Sequence, residues 1–286
     1  MFGLIPSQNR RYILVFVCLF LFSGTLTAQY SGEFPVGPTG FFASINEAVD
    51  SLTVHGVSGP VTLSIESGTY NEQFTIGLIA GVGETNPLVI QSQSGDSSDV
   101  IIQHDASSAV DNYVVKITYG NYLTFQNLTF KALNSTYGNA IQMETWANHV
   151  SFLNNRFEGT ENTNSYERLA LIHALNITSH NLVIEKNCFN KGSYGIFVYP
   201  NDGTDGAASI RFNTFDSLGY NGIHLRQSSS PRIENNIVNA GNYGIYLSGG
   251  NNASIRKNVV AGRYHGIYLS SVIGAPQLFS NIINNY

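Results

Sequence analysis

The chain has 286 residues, 43% of them hydrophobic and only 12% charged, and it contains 31 Asn and 28 Gly. Its 16 Tyr and 17 Phe exclude a disordered polymer, and 14 Lys plus Arg against 19 Asp plus Glu leave no basic surface for nucleic acid. The length allows one large or two ordinary domains, and the excess of Asn and Gly over helix-favouring residues points to a turn-rich β protein.

Residues 1–28 read as a secretory signal: Arg10 and Arg11 precede an apolar run from Tyr12 to Phe22, then come Ser23, Gly24 and Ala28 before Gln29. The run has 11 residues, short of the roughly 20 that span a bilayer, so export without a membrane span is expected. Cys18 lies inside the run without the small residues of a lipid-attachment site. Removing this segment takes away two Arg and no acids, leaving 12 basic against 19 acidic residues and a formal charge of −7. Cys188 is then the one cysteine left, so no internal disulfide can form, and it reads as a small hydrophobe.

Residues 29–59 are expected to form an N-terminal cap. Ser44-Ile45-Asn46-Glu47-Ala48-Val49-Asp50-Ser51-Leu52 begins with a capping Ser and a Glu three residues on, and Ile45, Ala48, Val49 and Leu52 share one helical face. Such a helix would cover the open edge of a first rung. Val61–Ile65, Leu88–Ile90, Val100–Ile102 and Val114–Ile117 then supply early strands.

From residue 151 onward the chain repeats. Ser151–Phe157, Val183–Phe189, Ser209–Phe215, Arg232–Val238, Ser254–Val260 and Gln277–Ile283 align without gaps as apolar, two variable, Asn, one variable, apolar. Their common Asn positions are 155, 187, 213, 236, 258 and 281, separated by 32, 26, 23, 22 and 23 residues. A second element recurs between them, in Gly195-Ile196-Phe197-Val198, Gly222-Ile223-His224-Leu225, Gly244-Ile245-Tyr246-Leu247 and Gly266-Ile267-Tyr268-Leu269, with Ala140-Ile141-Gln142-Met143 a weaker copy. Short alternating strands at a period of 22 to 23 residues make a parallel β-solenoid, in which stacked rungs bury what no rung can bury alone. Residues 60–286 are assigned to these repeats, and the pattern stops at Tyr286 before the next Gly-Ile strand, as in a fragment of a longer protein.

Asn155, Asn187, Asn213, Asn236, Asn258 and Asn281 are expected to be structural. Each would take the left-handed bend between two strands and bond the Asn of the next rung in a ladder. Glu185, Arg211, Glu234 and Arg256 alternate in sign on successive rungs, which favours pairing up the stack.

These motifs resemble the right-handed parallel β-helix, pectin-lyase-like superfamily, in particular its repetitive bacterial secreted and surface members. The resemblance covers residues 40–286 and rests on the Ser44–Asp50 helix, on Gly68-Thr69-Tyr70-Asn71-Glu72 after it, as at the opening of pectin esterases, and on the repeated strands. It implies an all-β, right-handed, single-stranded parallel β-helix with a short N-terminal capping helix. Activity has to be argued from the site. The Gln-Asp-Thr-Leu and Asp-Phe-Ile-Phe-Gly motifs of pectin esterases do not occur. His265-Gly266-Ile267 echoes a polygalacturonase motif, but the carboxylate pair of an inverting hydrolase does not accompany it. Catalytic residues and cofactors are therefore not assigned; Asp202 and Asp205 are the nearest candidates for calcium, as a lyase would need, and a polar turn explains them equally well.

The best functional candidate follows from strand alternation. With Ile and Leu of each Gly-Ile strand facing inward, Phe197, His224, Tyr246 and Tyr268 face outward, and Tyr194, Asn221, Tyr243 and His265 lie just before each Gly. This stripe is expected to bind an extended polysaccharide or cell-surface glycan, rings stacking on sugar faces and His224, Asn221 and His265 bonding hydroxyls; the alternative is a stack that merely stabilises the sheet. Asn127, Asn134, Asn176 and Asn252 head Asn-x-Ser/Thr triplets, and Asp50-Ser51-Leu52 and Asp216-Ser217-Leu218 resemble a bacterial O-glycosylation motif. The expected protein is a monomeric, secreted or surface-held carbohydrate-binding or adhesive module, with a polysaccharide lyase or a structural spacer as alternatives.

Overall fold

A computed structural model describes residues 29–178, 180–200 and 208–284. The signal-like segment 1–28 and the 201–205 turn with Asp202 and Asp205 lie outside the described residues. The strands pair in parallel throughout, in sheets of 16 and nine strands among the described residues. This is a right-handed parallel β-helix with one α-helix.

A late rung shows the design. Arg232–Glu234 leads through the Asn236 bend into Ile237–Ala240, and Tyr243–Ser248 completes the turn. Each strand lies over its counterpart 22 or 23 residues away, as in Ile233↔Ile255, Val238↔Val260 and Ile245↔Ile267. Inward residues therefore form like-on-like columns. Phe130, Phe157, Phe189 and Phe215 stack with centroids 5.4, 4.8 and 4.5 Å apart. The column of Ile141, Ile172, Ile196, Ile223 and Ile245 is fully buried. Ile172 belongs to a rung that the 32-residue spacing conceals, because its strand, Ile172–Thr178, lacks the leading Gly.

That Gly has a steric role. A Cβ on Gly222 would sit 2.2 Å from Val238 Cγ1 and 2.6 Å from the Gly244 carbonyl oxygen, so the strand entry can lie against the neighbouring wall only without a side chain.

The Asn side chains form the ladder at the bend. Asn236 Oδ1 accepts both the backbone N–H (2.9 Å) and the Nδ2–H (3.0 Å) of Asn213, while Asn236 Nδ2 donates to the Ile210 carbonyl at 2.9 Å. The backbone-to-amide bond repeats from Asn155 to Asn187, Asn187 to Asn213, Asn236 to Asn258 and Asn258 to Asn281. The left-handed backbone falls one residue earlier than the sequence pattern suggests. Asn154, Lys186, Phe212, Asn235, Lys257 and Ser280 have φ between 54° and 58°, and the following Asn does not. The residue that turns the chain points away and can be of any type, whereas the residue after it points inward and must satisfy buried backbone groups.

The charge alternation is realised at one step. Arg211 Nη2 lies 2.9 Å from Glu185 Oε2, but Glu234 pairs with Arg232 of its own strand at 3.3 Å, and Arg256 Nη2 donates to Gln277 Oε1. A nearer partner two residues away on the same strand displaces the rung-to-rung pair.

At the N-terminal end, α1 (Ile45–His55) buries Ile45, Ala48, Val49 and Leu52. Ser44 Oγ accepts the Glu47 N–H at 3.1 Å, and Glu72 accepts the Asn46 N–H at 2.9 Å, which ties the helix start to the loop after Gly68–Tyr70.

Asn236→Ala should cost about 2–4 kcal/mol in urea unfolding, because it leaves the Asn213 N–H and the Ile210 carbonyl buried without partners. The exposed Asn239, bonded only to Asp216 at 3.1 Å, should cost less than about 1 kcal/mol as Ala. Equal losses would deny the ladder its role.

Candidate ligand-binding face

Register brings the eight stripe residues together. Phe197, His224, Tyr246 and Tyr268 lie directly over one another, as do Tyr194, Asn221, Tyr243 and His265. Their accessibility divides the stripe in two, and this corrects the expectation of one continuous exposed face. Asn221 is 0%, Phe197 1%, Tyr194 4% and His224 8% exposed, whereas Tyr268 reaches 37%. Tyr243 and Tyr246 are half-buried and His265 is exposed.

An insertion covers Tyr194 and Phe197. Between Arg156–Glu158 and Ile172–Thr178 the chain runs through a long loop with a short 3-10 turn, Glu167–Leu169. Ala170 at its end packs with Tyr194 and Phe197, and Leu175, Tyr199 and Tyr220 pack against the three. The Tyr194 hydroxyl donates to the Ser165 carbonyl at 3.3 Å. The Arg226 guanidinium lies 4.0 Å above the Tyr199 ring. Side chains that point away from the helix core are thus buried in a second, smaller core.

Burial changes the chemistry of the histidines. His224 sits 5.0 Å from Phe197 and 4.5 Å from Tyr246, between ring centroids, with neither ring nitrogen hydrogen-bonded. Burial, with a smaller contribution from Arg226, holds its pKa at about 4. Burial alone holds His173, one column position beyond Phe197, at about 4 as well. Both imidazoles are neutral at pH 7.

The accessible half is an aromatic cluster. Tyr243 lies 5.3 Å from both Tyr246 and Tyr268, and His265 stacks on Tyr268 at 5.3 Å and on Tyr243 at 5.8 Å. Desolvation, followed by the neighbouring tyrosines, raises the Tyr243 pKa. Beside the cluster runs a groove of about 790 Å³. One wall is Glu161, Asn162 and Thr163 of the insertion; the other is Tyr220, Asn242 and Tyr264, joined by N–H···O bonds of 2.7 and 3.0 Å. Arg263 lines it too, 5.8 Å from the Tyr264 ring. The sequence pattern did not bring out Tyr220, Tyr264, Arg263, Glu161 or Asn162. Tyr220 and Tyr264 stand one position before the stripe, in the same repeat frame, so the periodicity carried their signal; the insertion residues have no counterpart in other rungs.

The insertion is held by specific contacts. The single Ser193 hydroxyl proton is shared between Asn162 Oδ1 and the Asn164 carbonyl, 2.9 and 2.7 Å from Oγ, and the Gly192 N–H donates to the Thr160 carbonyl at 2.9 Å. Gly219 lies so close that a Cβ there would come 1.8 Å from the Asn162 carbonyl oxygen.

Cys188 is half-buried, and burial raises its thiol pKa, which suits a packing role. Among the described residues, His, Cys, Asp and Glu do not gather in groups of three, and no helix is long and apolar enough to cross a membrane.

Sequence and geometry together define a pectin-lyase-like right-handed β-helix with a ring-lined groove at the corner beside the aromatic cluster. The chain belongs to the family described as periplasmic copper-binding protein (NosD), whose profile matches residues 134–286. The family's periplasmic location agrees with export. No curated protein sequence matches the chain. Among solved structures it is similar to the deglycosylated pectin methylesterase from Aspergillus niger, at 16% identity and a TM-score of 0.53, over 90% of this chain and 87% of that one. The rice weevil pectin methyl esterase is similar at 11% identity and a TM-score of 0.53, over 85% of this chain and 89% of that one. The GH136 lacto-N-biosidase from Eubacterium ramulus is similar at 12% identity and a TM-score of 0.53, over 88% of this chain and 55% of that one. At these identities the likeness is one of fold.

Gly219→Ala should free the insertion without unfolding the helix, read as faster tryptic cleavage after the exposed Arg168 with an unchanged circular dichroism spectrum. An unchanged cleavage rate would contradict the packing described. Because both histidines are held below the ordinary value of 6.5, the unfolded chain binds more protons between pH 6.5 and about 4. Their contribution to stability is complete above pH 6.5 and is lost as the pH falls toward 4. His224→Phe should therefore lose less of its urea midpoint than the parent between pH 7 and 4; parallel losses would mean that His224 titrates normally.

Proposed function

We propose that this chain is a periplasmic or surface-exposed β-helix module that binds an extended glycan along the accessible half of the stripe and the adjoining groove. The observation that carries this reading is the juxtaposition of Tyr243, Tyr246, His265 and Tyr268 with the groove of about 790 Å³ lined by Tyr220, Asn242 and Tyr264. Aromatic faces offer flat apolar contact to the C–H faces of sugar rings, and amides, hydroxyls and Arg263 offer hydrogen bonds to their edges. The glycan contacts are Tyr243, Tyr246, His265 and Tyr268; Tyr194, Phe197, Asn221 and His224 support them from beneath.

Copper, the metal in the family's description, does not find a fitting donor set here. Among the described residues no three of His, Cys, Asp and Glu come together, Met143 is fully buried in the core, and the Cys188 thiol is held protonated. The reading therefore assigns copper no part in this chain's site.

The test is retention in affinity electrophoresis through a panel of neutral and uronic-acid polysaccharides. At least one polymer should retard the protein, and Tyr246→Ser combined with Tyr268→Ser should weaken that retention about tenfold, the value of roughly 1.4 kcal/mol of lost stacking, with the fold unchanged. Retention unaffected by both substitutions would remove the proposal. Appearance of unsaturated products from uronic-acid polymers would move the chain to the lyases instead.

A further inference from the structure

A second concavity lies on the same sheet, on the far side of the covered residues Phe197 and His224. Its volume is about 260 Å³, and it is lined by Gln142, Glu144, Thr145, His173, Leu175 and Asn176, with Met143 at its base. A bulge creates it. Pairing runs in register from Ile172↔Ile141 to Ala174↔Met143 and resumes at Ile177↔Thr145, so Leu175 and Asn176 oppose Glu144 alone. The backbone is turned left-handed on both sides of the opening, with φ of 66° at Thr145 and 53° at Asn176. For a β-branched residue such as Thr145 this is a costly conformation, of the kind that persists where the surroundings enforce it.

Three buried polar atoms of the lining residues, His173 Nδ1 and Nε2 and Gln142 Oε1, have no partner in the protein. His173 is 8% exposed, and neither of its ring nitrogens has a hydrogen-bond partner. Its ring stacks on Phe197, with centroids 5.7 Å apart and planes 26° apart, which fixes its plane. Gln142 Oε1 is also buried and unpartnered, because the Gln142 amide is oriented by donation from Nε2 to Glu144 Oε1 at 2.8 Å. The Glu144 carboxylate in turn lies 3.5 Å from Lys116 Nζ. Buried polar atoms in native proteins are almost always paired, with protein, water or ligand. A neutral imidazole presents one donor and one acceptor, and Gln142 Oε1 adds a second acceptor. The complementary group both donates and accepts, which is the property of a hydroxyl. Charge points the same way: Lys116 and Glu144 balance, and His173 is uncharged, so the cavity does not select an ion. Its volume corresponds to roughly eight or nine waters at liquid density, the scale of one sugar ring.

We propose that this cavity is a binding site for a single neutral sugar residue, held through its hydroxyls by His173 and Gln142. The site is separate from the aromatic groove, since Phe197 and His224 close the surface between them, and it stands whether or not the groove binds glycan.

The test is a titration of the full exported chain with D-glucose, D-galactose and N-acetyl-D-glucosamine in turn, following the ring resonances of His173 by NMR. At least one sugar should shift them saturably. His173→Phe keeps the stack on Phe197 and removes both nitrogens, and should weaken that sugar at least about tenfold, followed then through the methyl resonances of Leu175 in the cavity lining. Gln142→Met, a second variant for the case that the first misfolds, should do the same, and the Tyr246→Ser, Tyr268→Ser variant should bind unchanged. The proposal is overturned if none of the three sugars gives a saturable shift, if inorganic phosphate saturates the site in their place, or if His173→Phe and Gln142→Met bind as tightly as the parent.

Discussion

Every rung of this protein is stable only because another lies in register on it, and the buried Asn ladder enforces that register. The left-handed residue before each Asn turns the chain sharply and leaves backbone groups that the adjacent strands cannot reach. The Asn amide reaches them, giving its Nδ2–H to a carbonyl of the preceding rung and receiving a backbone N–H from that rung on Oδ1. Slipping by one residue would turn every inward Ile and Phe outward and unpair every amide, so the two constraints reinforce each other.

That constraint decides where the chain can vary. From Asn155 onward the bend between the Asn strands carries no insertion, whereas an earlier rung without a ladder Asn lengthens at this corner through residues 93–99. The rung of Asn155 carries the 159–171 insertion, and the rungs after Asn213 carry none of comparable length. One column of outward residues is therefore buried where an insertion folds over it and accessible where rungs are short. The accessible aromatic face lies where the rungs are short, and burial keeps His173 and His224 neutral while His265 is open to solvent.

The sequence made the architecture legible because the fold is periodic. Apolar columns, Asn positions and Gly strand entries recur in register, so strand order, pairing and the outward direction of Phe197, His224, Tyr246 and Tyr268 could all be read from alignment of the chain with itself. Direction relative to the core was legible; accessibility was not. Tyr194 and Phe197 are covered in part by a non-repeated segment, which leaves no pattern to compare, and His224 is buried by packing among Tyr194, Phe197 and Tyr246. The left-handed residue escaped for a related reason, since a position filled by Asn, Lys, Phe and Ser has no compositional signature. The Ile172–Thr178 strand was concealed by the loss of one Gly and by the bulge at Leu175 and Asn176, which breaks the inward alternation between Ala174 and Ile177.

Confinement of ligand contact to the uncovered face is the central proposal. Amide hydrogen exchange of the full chain, with and without a polysaccharide that retards it in affinity electrophoresis, tests this most directly. Slowed exchange in segments 217–220, 241–247 and 263–269, with none along the Asn bends or in 88–132, is the expected result. Unchanged exchange in those three segments, or protection centred on the bends, would contradict the account.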